Sequence, residues 1–167
     1  MRTLLVTVGS TKFDKLIETI ERDQIKLKGF VDKFDIKKIL IQHGRSRAPK
    51  MINFDDIKIV DYLEPEEMSN LLCKSTVIIS HGGAGTIFEV LRGNKSDLEL
   101  FLVVENEELM DSHQSELIDS LIDMKCPLKR GDLNDLFSND FNNKFEIISL
   151  PKPNYDLITN IIKSHLV

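Results

Sequence analysis

Short apolar runs rich in β-branched residues alternate with segments of helical periodicity along most of this chain. Runs of this kind are typical of strands that are buried on both faces of a parallel sheet. Their alternation with helices predicts an α/β fold, a Rossmann-like open parallel sheet with helices on both faces. The predicted strands are residues 3–8, 38–42, 57–62, 76–80 and 98–104.

Helix signals fall between these runs. Thr11 and Asp14 have the spacing of a capping pair ahead of an apolar helical stripe, and Pro65 suits the first turn of a helix. After the fifth run the pattern is less regular. Residues 126–130 (CPLKR) are compatible with an edge strand and residues 133–137 with a short helix.

Two prolines, Pro151 and Pro153, separate the last part of the chain from the rest. They precede a predicted helix at residues 154–165, whose apolar side chains recur on one face. We therefore expect a Rossmann-like domain over residues 1–150. Residues 151–167 are expected to form a C-terminal helix that docks either on that domain or on another chain.

Composition and charge narrow the class of protein. With 41% hydrophobic and 29% charged residues, the 167-residue chain is close to the average of globular proteins, which predicts one compact soluble domain. The net charge of -5 provides no basic field for a phosphate backbone, so nucleic acid is not expected as a partner.

Cysteine usage and hydropathy point to the cytosol. Cys73 and Cys126 lack the spacing of a metal site or a disulfide framework, so we expect reduced thiols. The start of the chain is too β-like for a secretory signal, and no apolar run approaches the roughly 20 residues that span a bilayer. Membrane attachment is therefore expected only through a partner.

Glycines follow three of the predicted strands: Gly9 follows the first, Gly44 the second, and residues 81–86 (HGGAGT) the fourth. Ligands of open parallel sheets bind beyond the carboxyl ends of the strands, and N–H groups at a helix N-terminus bind anions. A phosphate or diphosphate is the expected ligand, and a plain tight turn is the alternative. The segment lacks the third glycine of a dinucleotide fingerprint and matches no P-loop.

Polar residues near this segment are candidates for the rest of a ligand. Glu89 is one helical turn beyond Gly85, where its carboxylate either accepts ribose hydroxyls or only complements the helix dipole. Asp111 and Gln114 have the spacing of a capping box, and His113 adds a third polar group suited to sugar hydroxyls. His81 is either a phosphate donor or a packing residue of the loop.

Three ordered motifs, VTVGSTKFDKLI, ISHGGAGTIFEVL and NEELMDSHQSEL, resemble the catalytic subunit of the eukaryotic dolichol-linked GlcNAc transferase. That family is similar to the C-terminal half of the bacterial lipid-linked peptidoglycan GlcNAc transferase, a GT-B enzyme of glycosyltransferase family 28. The resemblance runs from residue 4 to about residue 121.

The resemblance implies an inverting transfer of GlcNAc from UDP-GlcNAc to GlcNAc-diphosphodolichol, the second step of lipid-linked oligosaccharide assembly. It also implies a membrane-anchored partner subunit that binds the acceptor, and recruitment to the cytosolic face of the endoplasmic reticulum. Carried over to this sequence, the diphosphate is held by Gly82, Gly83, Ala84, Gly85 and Thr86, while Gly9, Ser10 and Thr11 face the phosphates or the acceptor. By the same resemblance Glu89 holds the ribose, the backbone near Leu63 holds the uracil, and Asp111, His113 and Gln114 hold the sugar.

Two departures set limits on this carry-over, and the first is that residues 93–106 (GNKSDLELFLVVEN) stand where the family usually has a shorter turn. Glu105 stands where the family usually has a proline after the fifth strand, so the loop on the sugar side is expected to differ. The sequence has no D-x-D triplet, so no metal is expected to clamp the donor and no cofactor is required. The general base is either His81 or a residue of the partner.

Two other functions remain as alternatives. A non-catalytic nucleotide-binding module would share every phosphate-binding feature. A dinucleotide-dependent oxidoreductase would place an acidic residue at the end of the second strand, where this chain has Gln42 and His43 instead.

Overall fold

A six-stranded parallel sheet organises the chain, whose computed structural model describes residues 1–52, 54–93, 97–107, 113–138 and 141, except the side chain of His113. The strand order is β3-β2-β1-β4-β5-β6, and every neighbouring pair is parallel. The predicted Rossmann-like sheet is therefore confirmed. The strands are β1 (Thr3–Thr7), β2 (Lys38–Gln42), β3 (Ile57–Val60), β4 (Val77–His81), β5 (Leu100–Val104) and β6 (Lys129–Gly131).

Helices cover both faces of the sheet, as the apolar character of the strands requires. One face packs Leu4 and Val6 against Leu16 and Phe30, and the other packs Leu5 against the remaining helices. Alternate residues of β1 thus enter two separate cores, which is why the strand shows no polar alternation. The helices are α1 (Asp14–Arg22), α2 (Gln24–Lys33), α3 (Pro65–Lys74), α4 (Ala84–Arg92) and α5 (His113–Asp123).

Two local predictions are wrong. Thr11 does not cap α1, because its hydroxyl donates to the carbonyl of Val8 at 2.7 Å, and Phe13 is the residue that precedes the helix. Residues 133–137 form turns rather than a helix. A carboxylate oxygen of Asp132 accepts the N–H of Asn134 at 2.8 Å, which favours a turn over a helix here.

The end of the described chain packs against α2. Phe137 and Phe141 lie edge-on to Phe30, with ring centroids 5.6 and 6.4 Å away. The predicted edge strand at residues 126–130 is confirmed as β6 at Lys129–Gly131. The predicted helix at residues 154–165 and the domain boundary at residue 150 lie outside the described residues.

Both cysteines are free thiols, as predicted, with Cys73 half-buried and Cys126 buried. Among the described residues, none of the helices combines the length and the hydropathy needed to cross a membrane.

Candidate functional site

The carboxyl ends of the parallel strands meet at one edge of the sheet, and the predicted site residues follow them. Gly9 follows β1, Leu63 follows β3, and Gly82 follows β4. The segment after β5 leads to α5, whose second residue is Gln114. The topology therefore brings the separate motifs of the sequence to one edge, the place where open α/β sheets bind ligands.

Helix α4 presents an open N-terminus at this edge. Gly83 precedes the helix in an extended conformation, and no side chain in the described part of the chain caps the helix. The first turn also lacks an acidic residue. Ala84 and Gly85 are exposed and Thr86 is half-exposed, so solvent or a ligand reaches the first-turn N–H groups. Together with the helix dipole, these donors suit an anion.

His81 is buried directly beneath the glycine loop, with 6% of its surface exposed. A Cβ at Gly83 would lie 2.2 Å from its Nε2, and a Cβ at Gly9 would lie 2.9 Å from its Cε1. Gly9 also has a φ of +62°, which a side chain would strain. Burial lowers the pKa of His81, and the backbone of Thr7 opposes that shift. The two glycines are thus needed because an imidazole fills the space between their loops.

The loop after β1 is held from behind by the loop after β2. The N–H of Gly9 donates to the side chain of Gln42 at 2.9 Å, and the N–H of Arg45 donates to the carbonyl of Thr11 at 2.9 Å. The N–H of Phe13 donates to the hydroxyl of Ser46 at 2.8 Å. Ser10 is left exposed and Thr11 half-exposed, so these two predicted residues face outward from a fixed loop.

Gln114 joins the start of α5 to the glycine loop. Its Oε1 accepts the N–H of Asn106 at 3.1 Å, and a Cβ at Gly82 would lie 2.6 Å from the same atom. Asn106 is buried, and its amide donates to the carbonyl of Lys12 in the loop after β1 at 2.9 Å. One small polar cluster therefore connects the ends of β1, β4 and β5. Sequence reasoning missed Asn106 as a site residue, although it is the first residue of the motif NEELMDSHQSEL, because its contact with Lys12 joins residues far apart in sequence.

The remaining predicted residues lie around this cluster. Glu89 is exposed on α4, one turn beyond Gly85. Leu63 is buried with 5% exposure, next to an exposed Tyr62. Asp111 lies outside the described residues, and His113 is the first residue of α5. The roles of these residues stay predictions.

Glu105, the residue in place of the family's proline, is held by an ion pair. It accepts a hydrogen bond from Arg130 at 2.6 Å, and Arg130 also donates to Asp119 of α5 at 2.6 Å. Sequence reasoning missed Arg130. A cavity of about 490 Å³ adjoins this cluster, and its lining includes Lys15, Glu107 and Asn134. The side of the edge predicted to face the sugar is thus built with charged side chains that tie β5, β6 and α5 together.

Two findings bear on whether the ligand is a nucleotide sugar or a dinucleotide. The observed strand order is that of the dinucleotide-binding fold, so topology alone does not separate the two ligand classes. At the end of β2, however, where a dinucleotide site has an acidic residue, this chain has Gln42. That side chain is 1% exposed and hydrogen-bonded to the protein itself. Within the described residues, no group of three or more His, Cys, Asp or Glu is placed to hold a metal ion.

Relatives of this chain are transferase subunits. It is 30% identical over 122 residues to the human UDP-N-acetylglucosamine transferase subunit ALG13, which covers 72% of this chain and 10% of the human protein. It is 30% identical over 148 residues to the subunit of the same name from Cryptococcus neoformans, covering 71% of this chain and 72% of that one. The chain thus spans about a tenth of the human and mouse relatives.

Solved structures and a family match agree with the fold. The solution structure of ALG13 aligns with a TM-score of 0.60 at 19% identity and covers 94% of each chain. The crystal structure of the kitacinnamycin glycotransferase aligns with a TM-score of 0.57 at 19% identity, covering 83% of this chain and 35% of that one. The glycosyltransferase family 28 C-terminal domain matches residues 3–139. This match confirms the resemblance seen in the three motifs, and the chain belongs to the glycosyltransferase family 28 C-terminal domain family.

Proposed function

We propose that this chain is the donor-binding part of a glycosyltransferase that transfers GlcNAc from UDP-GlcNAc to GlcNAc-diphosphodolichol. Family membership supports a glycosyltransferase, and the relatives named as UDP-N-acetylglucosamine transferase subunits support the donor. The word subunit in those names supports a second chain. In the proposal that chain is anchored in the endoplasmic reticulum membrane, binds the acceptor, and recruits this chain to the cytosolic face.

The observation that carries the proposal is the open N-terminus of α4 at the end of β4. The acceptor 4-hydroxyl attacks the anomeric carbon of the donor from the side opposite the diphosphate and gives its proton to the general base. The bond from that carbon to the diphosphate oxygen breaks, UDP leaves with the electron pair, and the configuration inverts. Negative charge then builds on the diphosphate, where fixed N–H dipoles at Gly83, Ala84 and Gly85 stabilise it.

In this proposal the other predicted residues contact the rest of the donor. Glu89 accepts the ribose hydroxyls, the backbone at Leu63 contacts the uracil, and Gln114 contacts the sugar together with Asp111 and His113. The donor requires no metal clamp, an expectation that rests on the sequence alone. The proposal assigns the general base to the partner, because His81 is only 6% exposed beneath the glycine loop.

Co-expression with a membrane-anchored acceptor-binding subunit tests the proposal. Membranes that contain both chains should transfer labelled GlcNAc from UDP-GlcNAc to GlcNAc-diphosphodolichol, whereas either chain alone should give little product. Absence of transfer from the pair, with donor binding intact, would favour the non-catalytic module. Calorimetry on the isolated chain separates the ligands, because the proposal expects binding of UDP and UDP-GlcNAc and none of NAD.

A further inference from the structure

We propose that Gln42 is a positioning residue that holds two segments in one fixed relation: the loop after β1, predicted to face the phosphates or the acceptor, and the segment after β3, proposed to contact the uracil. The inference rests on the proposed function, because it assigns ligand groups to the two segments. Gln42 is the last residue of β2, between β1 and β3. Its side chain therefore lies between the two strands whose following loops would hold the nucleotide.

The amide of Gln42 uses its full hydrogen-bonding capacity inside the protein. Oε1 accepts the hydroxyl of Thr7 at 2.6 Å and the N–H of Gly9 at 2.9 Å. Nε2 donates to the carbonyl of Gly9 at 2.7 Å and to the carbonyl of Asp61 at 2.7 Å. With 1% exposure, the side chain has no water to replace any of these bonds, so each one is expensive to lose.

Gly9 is held at both ends of its backbone by this one side chain. Its N–H and its carbonyl both bond to the amide, and its φ is +62°. Turning the amide over would place N–H against N–H and carbonyl against carbonyl, so only one orientation is satisfied. The direction of the Gly9 peptide, and with it the placement of Ser10 and Thr11, is therefore set by Gln42.

The hydrogen bond from Nε2 of Gln42 to the carbonyl of Asp61 also fixes the segment that follows β3. The last ladder bond between β2 and β3 runs from the N–H of His43 to the carbonyl of Val60 at 2.9 Å. Asp61 follows β3, and its carbonyl is bonded to Nε2 of Gln42. Tyr62 and Leu63, the segment proposed to contact uracil, begin directly after this anchor. A shift of either loop is thus transmitted to the other through one amide.

A matched pair of glutamine variants tests the inference on the full chain. Gln24 also bridges two backbone segments, because its amide donates to the carbonyls of Glu21 and Lys50 at 2.9 and 3.0 Å. It lies at the start of α2, away from the carboxyl edge. We expect Gln42→Met to weaken UDP binding about tenfold or more in calorimetry, as loss of several buried hydrogen bonds implies, while Gln24→Met leaves it unchanged.

The Gln42→Glu variant adds a second measurement, the pH dependence of UDP affinity, which a merely structural role would not change. As a carboxylate it faces the carbonyls of Gly9 and Asp61 with no donor, whereas the protonated form donates one hydrogen bond. The UDP affinity of Gln42→Glu, relative to wild type at each pH, should therefore rise as the pH falls, and that of Gln42→Met should stay level. If Gln42→Met does not fold, this pH dependence decides the question, and a level ratio overturns the inference.

The outcomes separate this inference from the proposed function. A wild-type chain that binds neither UDP nor UDP-GlcNAc removes the proposed function and the inference with it. A wild-type chain that binds UDP, together with a folded Gln42→Met that binds it equally well, overturns the positioning role alone.

Discussion

The two edges of the sheet are built from different interactions. At the amino edge, Arg2 donates two hydrogen bonds to Glu99, both at 2.8 Å, and a third to the carbonyl of Phe34 at 2.7 Å. At the carboxyl edge, the neutral amides of Gln42 and Asn106 hold the loops, and both side chains are buried. The amino edge is thus closed by charges that neutralise each other, whereas the carboxyl edge combines buried dipoles with the ion pairs of Arg130.

This difference explains why cavity size does not locate the site. The cavity at the amino edge measures about 740 Å³ and the one beside Arg130 about 490 Å³. Arg2 and Glu99 already bind each other in the larger cavity, whose lining also includes Lys38 and Lys74. At the carboxyl edge the amides of Gln42 and Asn106 bond to the protein itself, and the main-chain N–H groups at the start of α4 stay open. An anion therefore finds unused donors at the carboxyl edge.

The largest effect is expected where the carboxyl edge is packed most tightly. The Cβ of Gly83→Ala would lie 2.2 Å from Nε2 of a buried His81, so the loop or the imidazole must move. Overpacking of this kind lowers the free energy of unfolding by about 1–3 kcal/mol. Because the moved N–H groups are those proposed to bind the diphosphate, UDP affinity should fall more than about tenfold. Chemical denaturation and calorimetry measure the two effects.

Gly29→Ala is the control for this change. Gly29 lies within α2, and among the described residues nothing lies within 4 Å of its Cβ position. The substitution should raise the free energy of unfolding by about 0.5–1 kcal/mol through helix propensity. UDP affinity should not change. Wild-type UDP affinity in Gly83→Ala would show that the glycine loop does not bind the diphosphate.

A smaller effect is expected for Glu89, which is exposed and is proposed to contact the ribose. If its carboxylate accepts the ribose hydroxyls, Glu89→Ala should lower UDP affinity about fivefold to tenfold, or about 1–1.4 kcal/mol. The loss should shrink when calorimetry is repeated with 2′-deoxy-UDP. The matched control is Asp32→Ala, an exposed carboxylate on α2, which should leave both affinities unchanged. A fall in stability alone would instead assign Glu89 a structural role on α4.

The contrast between the edges also shows what the sequence alone could predict. The parallel sheet, the glycine loop and its placement at the carboxyl ends of strands followed from apolar runs, glycines and helix starts. The supporting contacts could not be predicted, because they join residues far apart in sequence. Gln42 reads as the last residue of a strand, and only the packing of β1 and β3 beside it shows that its amide connects two loops. Thr11 misled for a different, local reason, because its hydroxyl donates to the carbonyl of Val8 and α1 begins only at Asp14.

The smallest effect is expected at the amino edge. Arg2 and Glu99 are 35% and 43% exposed, and a pair this open is worth about 0.2–1 kcal/mol after solvent screening. Arg2→Met and Glu99→Gln should therefore lower the free energy of unfolding only slightly, and less still in high salt. UDP affinity should not change, because a five-residue strand separates the edges by about 17 Å, which exceeds the Debye length of about 8–10 Å. A loss of UDP affinity in Arg2→Met as large as in Gly83→Ala would mean that the two edges are not independent. The donor site would then depend on the whole sheet rather than on the main-chain donors at its carboxyl edge.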